Sequence, residues 1–313
     1  MNKRRFKSHS IKFSLILFLL LIPLIQGSLF AKVAIPEGEI LLIVRGDDIG
    51  FSHGANMAFK KAFDNGILTS AELMVPPPWF DEAVKILKER PNLDVGIHLT
   101  LTCEWMNYRW GPVGPKTDST PGFIDREGNF YYRTAPSPYY DKIFTRSYSF
   151  LGSHPKLSEV EKELRAQIEL AMKKIPYISH ISCHMGAASV TPQLKSLVEE
   201  LAMEYGLVPD WKFEDNSLSI FSVPLEKKVD SLASILKNLT PGFWYLVVHP
   251  GLDTPEMRAI SSPTGDPDKR MAQHRAKVTE ALTSERIKKI IEERNIKLVN
   301  HKDLIKAGIL NED

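Results

Sequence analysis

The stretch ILLIVRGDDIGFSHGANMAFKKAFDNG, residues 40–66, holds an apolar β-rich run, two adjacent acids and a helical pattern, in that order. Residues 40–45 read as a strand, being a short apolar run rich in Ile, Leu and Val. Residues 53–64 read as a helix. A strand that ends in polar groups and passes into a helix is the repeating unit of α/β folds, where ligands gather at the carboxyl ends of the strands.

The same rhythm continues along the chain. Residues 69–75 predict a second strand, 80–90 a helix closed by Pro91, and 93–102 a third strand. A charged helix follows over 158–174 and a short strand over 177–184. Thr191-Pro192 opens the next helix, with Thr as the N-cap and Pro at the first helical position, and that helix runs to about residue 205. Residues 228–239 read as a helix, 243–249 as a strand, 270–294 as one long helix and 297–300 as a last strand. The alternation predicts a single α/β domain, a parallel sheet or an α/β barrel, over residues 32–313.

Residues 104–157 interrupt the pattern. Twelve aromatic residues between Trp105 and Phe150, mixed with Gly and Pro, argue against disorder. Two readings stand side by side: a substrate wall whose rings stack on a ligand, or an insertion with its own small apolar cluster.

The chain of 313 residues carries a net charge of +2, unevenly spread. Residues 1–31 hold five basic groups (Lys3, Arg4, Arg5, Lys7 and Lys12) and no acid, so the rest has 35 basic and 38 acidic groups, a net −3. A slightly acidic body lacks the electrostatic footprint of a nucleic-acid binder. The basic start, the apolar run over residues 13–25 and the small residues up to Ala31 have the layout of a secretory signal. The run is shorter than the roughly 18–20 residues of a spanning helix. Export to the periplasm or the exterior is expected, with cleavage after Ala31; an uncleaved anchor is the alternative. Cys103 and Cys183 are the only cysteines, and they read either as a disulfide or as two small buried side chains.

The chemistry-bearing residues cluster by strand parity. Gly96, His98, Thr100 and Thr102 share one face of the third strand, and His180, Ser182 and His184 share one face of the next. Three histidines (His98, His184 and His249) stand at the carboxyl ends of different strands, and Asp47 and Asp48 follow a fourth. Consecutive strand residues point to opposite sides, so both acids reach one mouth only if the chain turns; the following Ile49-Gly50 predicts that the strand ends there. One carboxylate with two neutral imidazoles leaves open positions for a divalent cation, and a second carboxylate beside it is placed to take a proton from water.

These residues resemble the carbohydrate deacetylase family known as YdjC or ChbG/HpnK. The matching stretches are RGDDIGFSHGAN (45–56), NGILTSAELMV (65–75), LDVGIHLTLT (93–102), HISCH (180–184) and VVHPG (247–251), in order along the chain. The resemblance implies a distorted TIM-like (β/α) barrel, a divalent metal, usually Mg2+, and hydrolysis of the acetyl amide of an N-acetylated sugar by metal-activated water. Carried over residue by residue, Asp48, His98 and His184 are the metal ligands, Asp47 the general base and His249 the general acid. By donor chemistry alone Zn2+ or Mn2+ suits the same set.

Two places depart from the family. An acid is common two residues after the first His of HISCH, and a further His two residues after the second; here Ser182 and Gly186 occupy them. His180 keeps its place, as a residue orienting a ligand or as a purely structural one. Arg275 and Glu280 match loosely and read as solvated charges on the long helix. Pro76–Pro78 with Trp79 read as a pocket rim or as a rigid connector. The competing functions are a metal-dependent hydrolase of another amide or ester, which substrate profiling separates, and an exported sugar-binding protein without catalysis, which would not need Asp47.

Overall fold

The computed structural model describes residues 37–114, 122–144, 148–213, 216–263 and 270–308. The expected signal or anchor of residues 1–31 lies outside the described residues.

Strand β1, Ile40–Ile49, organises the sheet. It is followed by α1 (His53–Asp64), β2 (Ser70–Leu73), α2 (Phe80–Lys88) and β3 (Asp94–Leu99). After the aromatic segment come α3 (Leu157–Lys174), β4 (His180–Cys183), α4 (Pro192–Tyr205) and the short β5 (Val208–Pro209) and β6 (Ser217–Ser219). The chain closes with α5 (Lys228–Lys237), β7 (Gly242–Val248), α6 (Pro255–Ala259), α7 (Met271–Leu282), α8 (Glu285–Glu293), β8 (Ile296–Val299) and α9 (His301–Ala307). All the strand pairings are parallel, in the order β5-β4-β3-β2-β1-β7-β6. The first half of β1 pairs with β8 and the second half with β2, while β7 runs along its other edge. The sheet curls into a half-barrel with helices around it, a distorted TIM-like α/β fold.

Period-two alternation sorts each strand into two faces. On β1, Leu42 and Val44 join the main apolar core beneath the helices, with Ala55, Phe59 and Ala62 of α1. Burying each such large side chain contributes about 1.5–3 kcal/mol. Leu41 and Ile43 face the interior, in a second cluster with Phe243, Tyr245 and Leu304. Further along that interior face the apolar residues give way to Arg45 and Asp47. Asp47, Glu72, Gly96 and His180 then pair side by side across four strands, a polar row inside the barrel.

Most predicted elements form; β2, β3 and β4 are shorter than expected and β1 is longer. The helix expected over 270–294 is two helices, because Ser284 is extended (φ −70°, ψ 128°) between α7 and α8. Thr191 does cap α4, its hydroxyl accepting from the Leu194 amide at 3.3 Å, and Gly206 ends that helix at φ +68°. Cys103 is buried and Cys183 half-buried, and no disulfide joins them.

The aromatic segment packs largely onto the main apolar core, to which Trp105, Trp110, Phe123, Phe130 and Phe150 belong. Phe123, Phe130 and Phe150 are fully buried, and Tyr140, Phe144 and Tyr148 stack with ring centroids 5.3–6.1 Å apart. Among the described residues of the segment, only the first, Glu104 and Trp105, line the cavity at the strand ends.

Candidate functional site

The two adjacent acids reach one mouth by a device the sequence reading did not foresee. β1 does not end after them. Asp47 pairs with Glu72 and Ile49 with Leu73, leaving Asp48 as the extra residue of a β-bulge, at φ +79°. A left-handed conformation is uncommon outside glycine, though Asp tolerates it better than most residues. The extra residue brings Asp48 to the same cavity wall as Asp47, against plain strand alternation. Gly50 completes the turn at φ +99°, where a Cβ would stand 2.6 Å from the Met74 carbonyl oxygen.

A cavity of about 480 Å3 opens at these strand ends, lined by Asp47, Asp48, His98, Glu104, His184, His249 and Arg275 among others. Asp48 Oδ1 lies 3.5 Å from His98 Nε2 and 3.2 Å from His184 Nδ1, and it is buried without a hydrogen bond. Its other oxygen accepts from Arg275 Nη2 at 2.7 Å. Burial by itself would raise the Asp48 carboxyl, but Arg275, with His184 and His249 nearby, holds it well below the usual carboxylate value. Arg275 is therefore part of the site, contrary to the sequence expectation. Glu280 does pair with Lys277, on the exposed side of α7.

Each imidazole has a partner behind it. His98 Nδ1 lies 2.7 Å from Ser182 Oγ, and His184 Nε2 lies 3.0 Å from a Glu104 carboxylate oxygen. A carboxylate only accepts, so His184 donates from Nε2 to Glu104, while its Nδ1 faces Asp48. Burial pushes His98 down to about 4, outweighing Asp47 and Asp48, so it stands neutral, as a ligand must. Burial would also lower His184, but Glu104 and Asp48 hold it up at about 10; a cation binding there has to displace that proton.

The donor set Asp48, His98 and His184 fits a divalent cation. Their ligand atoms lie within 4.8 Å of one another, and the unpartnered Asp48 oxygen faces both ring nitrogens. Asp47 sits alongside, its Oδ2 3.8 Å from His98 Nε2. Arg45 grips both Asp47 oxygens, from Nε at 2.5 Å and from Nη2 at 2.8 Å, and also reaches Asp210 and the Tyr245 hydroxyl. His249, at the end of β7, is half-buried; burial lowers its pKa despite Asp48 and Asp47. The exposed Phe221 packs edge-on against it, ring centroids 5.6 Å apart.

Sequence reading thus selected five residues that line one cavity, and missed Arg45, Glu72, Glu104, Asp210 and Phe221. Arg45 and Glu72 carried a signal, a charge within an apolar strand. The others carried none, because loops and helices remote in sequence deliver them.

Known proteins share this chain's sequence pattern and its fold. The sequence model of the YdjC-like protein family matches residues 41–293. A protein of Listeria innocua named carbohydrate deacetylase 2 is 28% identical over 284 residues, covering 85% of this chain and 99% of its own. A carbohydrate deacetylase of Thermus thermophilus is 29% identical over 257 residues, 74% of this chain and 85% of that one. The crystal structure of an Enterococcus faecalis protein named for cellobiose-phosphate cleavage shares the fold with a TM-score of 0.63 at 23% identity, over 85% of this chain and 99% of that one. With most of its length inside the family match, the chain belongs to the YdjC-like protein family.

Proposed function

We propose that the chain is a hydrolase that removes the acetyl group from an N-acetylated sugar or oligosaccharide. The observation that carries this reading is the convergence of Asp48, His98 and His184 in one cavity, beside a second carboxylate held by a guanidinium. The names of the relatives supply the substrate class. Asp48, His98 and His184 would hold a divalent cation, Mg2+ by family resemblance, with Zn2+ or Mn2+ suited to the same donors. When bound, such an ion polarises the acetamide carbonyl and acidifies water in its shell.

The chain's own residues do the rest. Asp47 accepts the proton of the attacking water. Each of its oxygens keeps a lone pair beyond the bond to Arg45, and the two-pronged grip fixes the plane of the carboxylate. His249 protonates the leaving amine. With its pKa lowered by burial, its protonated form is a stronger acid than an ordinary imidazolium, and a scarcer one at neutral pH. The sugar ring rests on Phe221, which stands 69% exposed beside His249, a position where an apolar ring gains by being covered. The basic and apolar character of residues 1–31 supports export, and with it an envelope or external glycan as substrate.

The test is acetate release from N-acetylglucosamine oligomers with added Mg2+, Mn2+ or Zn2+ and with chelator. Metal-dependent acetate establishes the reading. Protein that carries a metal and releases no acetate from any oligomer, but cleaves other amides or esters, refutes the deacetylase assignment.

A further inference from the structure

Glu72 is a carboxylate with no contact to solvent, on a four-residue strand inside the barrel. A buried charge costs several kcal/mol unless its lone pairs are satisfied. Those of Glu72 are: Oε1 accepts from Ser70 Oγ at 3.1 Å and from His180 Nε2 at 2.8 Å, and Oε2 accepts from Ser182 Oγ at 2.6 Å. The strand register explains how one side chain reaches two strands away. Gly96 pairs with Glu72 on one side and with His180 on the other, and a Cβ there would collide with both side chains. The missing side chain is the gap across which β2 touches β4.

The consequence reaches the candidate metal ligand. Ser182 has one hydroxyl proton, and Glu72 accepts it. The Ser182 oxygen is then left to accept, and it lies 2.7 Å from His98 Nδ1. His98 therefore carries its proton on Nδ1 and keeps the Nε2 lone pair, 3.5 Å from Asp48 Oδ1. His184 gets the same service directly from Glu104, at the cavity wall.

We propose that Glu72 is a positioning residue for His98: acting through Ser182, it fixes which ring nitrogen bears the proton and so presents Nε2 as a lone pair to the cavity. The proposal rests on the reading of His98 as a metal ligand, and partners of this kind orient ligating histidines and affect metal affinity about 10–100-fold.

The experiment uses the full chain, free of metal, as wild type, Glu72→Gln and Ser182→Ala. The 15N shifts of the His98 ring, assigned by comparison with His98→Gln, report the tautomer directly. Wild type is expected as the Nδ1–H form. Glu72→Gln replaces an obligate acceptor with a group that can also donate, and Ser182→Ala removes the intermediary, so in both the Nε2–H form becomes populated. Calorimetric titration with Mn2+ is expected to show affinity about tenfold weaker or worse in both. Ser182→Ala keeps the Glu72–His180 pair and carries the test should Glu72→Gln fail to fold. An unchanged ring pattern in folded Glu72→Gln overturns the proposal, whatever the titration gives. A wild type that binds no Mn2+, with the tautomer response intact, upholds the positioning role and refutes the metal reading instead.

Discussion

Among the described residues, two groups of three side chains bring their donor atoms close enough together for a metal site, Asp48 with His98 and His184, and Glu72 with His180 and His301. They differ in what their atoms are already doing. In the first, Asp48 Oδ1 has no hydrogen bond and the group lines a cavity. In the second, Glu72 is satisfied on both oxygens and His180 on both nitrogens, while His301 Nε2 meets the Tyr245 hydroxyl at 2.9 Å; its Nδ1 has no hydrogen bond, but it is buried 3.6 Å from Asp94 Oδ2 and does not line the cavity. The His180 and His301 rings lie face to face, centroids 3.6 Å apart, so their nitrogens do not converge on a point between them. Proximity of donors is thus a weak criterion. An unsatisfied lone pair with a path to solvent separates a site that can be loaded from a polar core that orders the fold.

The sharpest way to break that contrast is to remove an oxygen from the open group. Asp48→Asn is expected to weaken Mn2+ binding more than about 100-fold, beyond what a supporting residue costs, and to abolish acetate release. If calorimetry shows wild-type affinity, the two groups do not differ as argued. Asp47→Asn comes next. Metal binding is retained and turnover falls about 10²–10⁴-fold, the usual range for a general base. Loss of metal together with turnover would mean the roles of the two acids are reversed.

The sealed group answers to stability instead. Burial alone would raise Asp94, but His301, His180 and Ser179 hold it down at about 2, against an ordinary 3.8. A depressed carboxyl stabilises the fold above its unfolded pKa, and that contribution is lost as the pH falls from about 4 through about 2. Asp94→Asn should cost about 2 kcal/mol at pH 7 in urea melts and flatten the pH dependence between about 2 and 5. Cation affinity should be unchanged. The smallest effect is expected at the rim: Phe221→Ala should raise KM severalfold, about 1 kcal/mol, with little change in kcat or Tm. A change in kcat alone would assign Phe221 to His249 rather than to the sugar.

How much of this was legible in the sequence varies by residue. His98 and His184 were legible because a period-two pattern places them on the polar face of their strands, at the carboxyl ends. Asp47 and Asp48 were legible as a pair, but the expected reason was wrong: the strand continues, and a bulge at Asp48 does the turning. Arg275 was set aside as a solvated charge, since the α-helical pattern around it says nothing of what faces it; in the fold it holds Asp48. Ser182 stood out as the place where an acid is common in the family. The carboxylate it touches arrives from two strands away, as Glu72 on β2.

Local pattern by itself determined most of the longer strands and helices, the cap at Thr191 and the set of polar strand ends, because side-chain alternation and helix periodicity are properties of neighbouring residues. Tertiary structure alone decided which charges meet. The pairing of β1 with β2 makes Asp48 an extra residue, the row Glu72–Gly96–His180 forms only in one register, and α7 brings Arg275 to a residue 227 positions away. Electrostatic contacts depend on distance in space, and in this barrel the decisive ones span strands that the chain visits far apart.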